Sequence, residues 1–149
     1  ALCALGVLFL PDFKYLLCLG YVASFSTKLS DTTASEVGKA YGKNTFLITT
    51  LQPVPRGTEG AVSLEGTLAG IVASIAIALI SWGVNLINPL GIIWSVIAAF
   101  IATNLESVIG ATLQSKYIWL TNEVVNIFNT LIGAIAAITL ALIYQSIFL

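Results

Sequence analysis

Apolar residues run almost unbroken through three long stretches of the chain, and the polar residues collect between them. Gly66 to Asn85, Leu90 to about Gly110 and about Glu123 to Phe148 are each long enough, at about 1.5 Å per residue, to cross a hydrocarbon core about 30 Å thick. Asn88-Pro89 turns the chain between the first two, and Gln114 to Asn122, with Lys116, Tyr117 and Trp119, joins the second to the third. Gly66, Gly70, Ala73 and Ser74 offer a small-residue face for close helix packing, and Trp82 and Trp94 fall where interface anchors belong. Upstream, Pro11-Asp12 opens a further helix, with proline in the first turn and an acid at the positive end of the dipole. Its apolar part, Phe13 to Phe25, is only about 20 Å long. This helix is therefore either supported by neighbours or continued through Lys28 to Glu36 at membrane depth. Residues 1 to 10 have no basic n-region and read as the tail of an earlier span, so at least one more helix is expected before them. The pattern predicts an all-α polytopic transmembrane helical bundle, about four spans in this chain, in a single integral-membrane domain over 1–149.

Between Lys28 and Gly66 the pattern changes: four of the six basic and four of the seven acidic residues lie there. If the helix continues to Gly42, then Lys28, Asp31, Thr32, Ser35, Glu36 and Lys39 fall within an arc of about 140° and give one densely polar face. Gly38, Gly42 and Asn44 loosen the helix, Thr45 to Thr50 reads as extended, and Pro53 and Pro55 exclude a regular helix. The segment Pro55-Arg56-Gly57-Thr58-Glu59-Gly60-Ala61-Val62-Ser63 then sets a fixed cation, two glycines and two hydroxyls before an apolar helix. Such a loop is suited to holding phosphate. Alternating the spans places the 28–65 motif loop and the 114–122 connection on one side. Lys28, Lys39, Lys43, Arg56 and Lys116 lie there, against Lys14 alone on the other, so the motif side is expected to face the cytoplasm, or the stroma or matrix of an organelle.

Composition agrees with the pattern. The chain is 58% hydrophobic and 9% charged, with a mean hydropathy of +0.98, whereas a soluble domain carries about 25% charge. A net charge of −1 and the absence of a basic run exclude nucleic acid as a partner. Without histidine, and with Cys3 and Cys18 in apolar surroundings, a zinc or redox site is not expected.

Two of the apolar runs carry polar residues at the motif side. In Thr103 to Gln114, Asn104, Ser107 and Ala111 share one face, and Glu106 lies inside the hydrophobic stretch, where a carboxylate needs a cation, a metal, a proton or a polar cavity. In the last span Asn122, Asn126, Asn129, Thr130 and Gly133 form a stripe. Carboxylates without histidine, facing Arg, Lys and glycine-rich backbone, fit magnesium (Mg2+) and phosphate chemistry. On this reading Asp31, Glu36 and Glu106 bind Mg2+ or orient an acceptor phosphate. Arg56, Gly57, Thr58, Gly60 and Ser63 hold nucleotide phosphates, Lys28 or Lys39 neutralises developing charge, and Asn122 and Asn126 complete the pocket. A site at membrane depth, open to water on one side, suits a soluble nucleoside triphosphate and an isoprenyl-phosphate lipid.

Four ordered segments, SDTTASEVGKAYG (Ser30 to Gly42), LITTLQPVPRGTEGAVSLEGTLAG (Leu47 to Gly70), LESVIGATLQ (Leu105 to Gln114) and TNEVVN (Thr121 to Asn126), resemble an integral-membrane family. That family includes the phytyl-phosphate kinase of tocopherol (vitamin E) synthesis, and is distantly like dolichol kinases and phosphatidate cytidylyltransferases. The resemblance implies phosphoryl transfer from a nucleoside triphosphate, CTP, to phytyl or a related isoprenyl monophosphate. Many family members have aspartate where this chain has Glu106, a change that keeps the charge. Two alternatives remain open at this point, a CTP-dependent lipid cytidylyltransferase and an ion-coupled membrane transporter.

Overall fold

The computed structural model describes residues 1–114 and 116–148. Helix α1 (Leu2–Phe9) and a 3-10 turn (Pro11–Phe13) lead into α2 (Lys14–Tyr41); strands β1 (Thr45–Leu47) and β2 (Ala61–Ser63) follow, then α3 (Leu64–Gly83), α4 (Pro89–Ile109), a π-helical turn (Gly110–Gln114) and α5 (Asn122–Phe148). The fold is the all-α bundle that the apolar pattern predicts. Three segments, Leu64–Gly83, Pro89–Gln114 and Asn122–Phe148, are long and apolar enough to cross a membrane. Helix α2, at 28 residues, is as long but polar in its second half, and it packs against all three.

The distribution of side-chain size explains the packing. Buried positions are small: Gly66, Gly70, Ala73, Ser74 and Ala78 on α3, Ser95, Ala98, Ala99 and Ala102 on α4, and Gly133, Ala134, Ala137 and Ala141 on α5. Large residues such as Val72, Ile80, Ile93, Ile127 and Ile135 point outward. In a bilayer, lipid tails solvate Leu and Ile as well as a protein core does, so helices associate through small faces that permit close contact. The α2–α3 contact shows the requirement: a Cβ at Gly66 would lie 2.5 Å from the Ala34 carbonyl oxygen, and one at Gly70 would lie 2.9 Å from that of Ser30.

Caps and turns fix the helix ends. Asn88 caps α4 by accepting from Gly91 N–H at 2.8 Å, and its Oδ1 also accepts from Tyr15 O–H at 2.8 Å, which ties the start of α2 to the start of α4. Helices α2 and α4 therefore run in one direction and α3 and α5 in the other. The end of the bundle around Leu19, Ala78, Ile87, Ala98 and Ala141 is an apolar core; polar residues gather at the opposite end.

The structure divides the 28–65 motif loop. Helix α2 continues through Lys28 and Glu36 to Tyr41, supported by neighbours on its Ser26, Thr27 and Ser30 face, so only 42–63 is non-helical. The extended stretch expected over Thr45 to Thr50 stops at Leu47, where the chain turns and Leu51 N–H reaches the Leu47 carbonyl at 2.8 Å. The span expected to reach Asn85 ends at Gly83, because Asn85 takes a left-handed conformation with φ of 60°, one that asparagine tolerates better than most residues.

Candidate active site

The centre of the polar end is an ion pair held by a neighbouring helix. Lys28, midway along α2, donates through Nζ to Asn126 Oδ1 on α5 at 2.6 Å and to Asp31 Oδ2 at 3.4 Å. The Asp31 side chain is 13% exposed and that of Lys28 43%, so the carboxylate is drawn into the bundle while the ammonium group stays open to the cavity. Glu106, from α4, is closely apposed to the Asp31 carboxyl group, with Lys28 nearby, and Asn129 Nδ2 on α5 donates to Glu106 Oε2. The asparagine stripe of α5 thus does two jobs, Asn126 orienting the cation and Asn129 orienting a carboxylate. Asn129 is 1% exposed, and its Oδ1 has no partner among the described residues. Such contacts matter here because a buried charge is tolerated only when paired and hydrogen-bonded.

Around this centre lies a cavity of about 350 Å³, walled by α2, α3, α4, the π-helical turn, the start of α5 and the 57–63 loop. Lys28, Asp31, Glu36, Lys39, Glu106, Gly57, Thr58, Gly60, Ser63, Asn122 and Asn126 all line it, so most of the candidates named from sequence come together. Four carboxylates, Asp31, Glu36, Glu59 and Glu106, face two lysines, a formal excess of two negative charges. An anionic substrate enters such a cavity favourably only with cations of its own.

The loop is shaped to offer backbone N–H groups. Gly57 and Gly60 have φ of +82° and +74°, and the N–H groups of Gly57, Glu59 and Gly60 have no acceptor among the described residues. Thr58 N–H between them donates to the Pro55 carbonyl at 3.3 Å, which leaves the adjacent N–H groups of Glu59 and Gly60 as the pair of a kind that binds anions in turns. Gly60 is pressed against α4 and the π-helical turn: a Cβ there would lie 2.5 Å from Ala111 Cβ and 2.6 Å from the Ser107 carbonyl oxygen. This contact docks the loop on the cavity rim.

Other candidates are placed differently. Arg56 does not line the cavity; its guanidinium donates to the Ala40 carbonyl at 3.3 Å on the exposed side of α2. Glu36 and Lys39 pair with each other at 3.1 Å at the cavity's outer edge, with side chains 69% and 55% exposed. Among the described residues no three acidic or thiol side chains converge on one point, so Glu36 stands apart from Asp31 and Glu106. Ser63 Oγ is engaged as the cap of α3, accepting from Gly66 N–H at 3.1 Å. Sequence reasoning left Glu59, Thr103, Gln114 and Asn129 out of the site. Asn129 was legible as part of the α5 stripe, and Glu59 as the acid of the glycine loop. Thr103, which donates to Ser30 Oγ at 3.5 Å, and Gln114, which donates to Asn122 Oδ1, carried no signal beyond being polar in an apolar run.

Residues 1–134 match the integral membrane protein family DUF92. The chain belongs to this family. It is 73% identical over 139 residues to an uncharacterized membrane protein of Synechocystis sp., covering 93% of this chain and 54% of the relative. It is 52% identical over 128 residues to the chloroplastic protein VTE6 of Arabidopsis thaliana, covering 85% and 38%. An uncharacterized membrane protein of Methanocaldococcus jannaschii is 38% identical over 121 residues, covering 80% and 50%. The chain thus spans about half or less of the length of these relatives. No solved structure matches it. DUF92 is the integral-membrane family that the four sequence motifs resemble.

Proposed function

We propose that the protein is a membrane-embedded prenyl-lipid kinase, transferring a phosphoryl group from a nucleoside triphosphate, CTP, to phytyl or a related isoprenyl monophosphate. The observation that carries this reading is the cavity in which Lys28, Asp31, Glu106 and the free N–H groups of the glycine loop meet at one end of a membrane bundle. The family resemblance supplies the substrate class. In the reaction an oxygen of the acceptor monophosphate attacks the γ-phosphorus. The bond from that phosphorus to the β-bridging oxygen breaks, nucleoside diphosphate leaves, and prenyl diphosphate forms.

The chain's own groups divide the work. The N–H groups of Gly57, Glu59 and Gly60 take the nucleotide's terminal phosphates, while the Thr58 hydroxyl, which donates to the Pro55 carbonyl at 2.7 Å, holds the turn that presents them. Lys28, fixed by Asn126, offsets charge on the transferring phosphoryl group, and Lys39 at the rim meets the incoming nucleotide. Asp31 and Glu106 are paired hard-oxygen donors, a set that fits Mg2+ with water and phosphate completing the shell. Held by Asp31 and Glu106, Mg2+ would supply neutralisation of the phosphate charge. The motif side, by the excess of lysine and arginine, faces the cytoplasm or stroma.

The test uses the intact membrane protein in detergent with Mg2+, phytyl monophosphate and γ-labelled CTP. Label in phytyl diphosphate supports the kinase. Pyrophosphate with a CDP-lipid and no labelled lipid replaces it with the cytidylyltransferase. Ion-dependent uptake into proteoliposomes without nucleotide turnover replaces it with a transporter.

A further inference from the structure

A second recess lies behind the wall of the polar cavity. Ile109, Leu113, Tyr117, Trp119, Phe128 and Ile132 line a groove of about 300 Å³ with no polar surface. Groove and cavity share a wall. Along α4 and the π-helical turn, Gly110 and Gln114 line the cavity while their immediate neighbours Ile109 and Leu113 line the groove. Along α5, Asn122 and Asn126 face the cavity and Phe128 and Ile132 the groove. The two recesses therefore lie on adjacent sides of the same α4–α5 seam, at the same end of the bundle. The Gln114–Asn122 hydrogen bond crosses that seam between them.

A polar cavity and an apolar groove meeting at one seam are complementary to an amphiphile with a small charged head and one hydrocarbon chain. A lipid head drawn into the cavity must lead its chain back to the bilayer, and a charged or hydrogen-bonding wall along that path would be costly to leave unpaired. This groove is an apolar recess that borders the cavity wall. We propose that it holds the chain of an amphiphilic phosphate whose head lies in the cavity, crossing the rim at Gln114 and Asn122. The identity of that amphiphile as an isoprenyl monophosphate rests on the kinase reading.

Trp119 is the probe. In nanodiscs of unlabelled phosphatidylcholine, a prenyl monophosphate brominated in its chain is titrated onto the intact protein, and the signal used is the quenching that disappears in Trp119→Phe. The expected result is saturable quenching that unlabelled phytyl monophosphate displaces and that brominated prenyl alcohol or brominated phosphatidylcholine reproduces only weakly. Ile132→Phe, which fills the groove, should weaken the apparent affinity about tenfold. Ile132→Ala, which enlarges it, should retain binding and serves as the folded control. Equal quenching by brominated phosphatidylcholine, or no displacement by phytyl monophosphate, would mean ordinary boundary lipid and overturn the proposal. The two readings fail separately. Specific quenching without phosphoryl transfer keeps the groove and removes the kinase; phosphoryl transfer without Trp119 quenching does the reverse.

Discussion

Lys28 Nζ lies 2.6 Å from Asn126 Oδ1, a contact between residues 98 positions apart that sets the cation of α2 by an amide from α5. The lysine therefore has its direction before substrate arrives, which lowers the reorganisation needed when charge develops. Asn126→Leu removes this anchor at nearly constant volume. A hydrogen bond to a charged group contributes about 1.5–3 kcal/mol, so kcat/KM for phosphoryl transfer should fall roughly tenfold to hundredfold. Unchanged kinetics would show that Lys28 needs no such anchor.

Asp31→Asn keeps shape and removes charge from the carboxylate between Lys28 and Glu106. Turnover should fall by at least about a hundredfold, on the scale of losing one electrostatic contact to the transition state, while size-exclusion elution in detergent stays that of the wild type. Near-wild-type activity would remove Asp31 from the site.

Asn129 donates to Glu106 and touches no ligand in the proposed mechanism, which makes it a positioning residue. Asn129→Leu should raise the Mg2+ concentration for half-maximal activity by about tenfold to hundredfold, as outer-shell partners of metal ligands do. A purely structural role would lower kcat at every Mg2+ concentration and leave that midpoint in place.

Gly57 and Gly60 share a left-handed backbone but not a surrounding: nothing lies within 4 Å of a Cβ at Gly57, whereas one at Gly60 would meet Ala111 and the Ser107 carbonyl. Gly57→Ala should cost only the conformational term, about 1–2 kcal/mol. Gly60→Ala adds a steric term and should lower the unfolding temperature in detergent at least twice as far. Equal shifts would indicate that the loop does not dock on α4.

The large features were legible because they depend on single-helix properties. Run length gave α3, α4 and α5, and Asn88-Pro89 gave a capped helix start. The polar arc from Lys28 to Lys39 was legible as a helical face, but the short apolar stretch Phe13 to Phe25 left its depth open. Burial of Ser26, Thr27 and Ser30 shows that neighbouring helices support it, and that depends on neighbours no local pattern encodes. The same holds for the site. Asp31 and Glu106 were each conspicuous alone, yet their apposition, with Glu36 left outside, follows from helix register. Arg56 drew attention by its charge within a glycine loop. The loop's docking through Gly60 presents Glu59 to the cavity and leaves Arg56 outside.

Helix α2, packed against the three apolar helices, carries Lys28, Asp31, Glu36 and Lys39 on one segment. Lysine and aspartate each oppose membrane insertion by about 2.5–3.5 kcal/mol near a helix centre, so this helix is a poor substrate for the insertion machinery by itself. Its contacts with α3, α4 and α5 are with helices synthesised after it. Those contacts can form only once α3 to α5 have emerged, so the chemically richest helix completes its packing late although it is made before them.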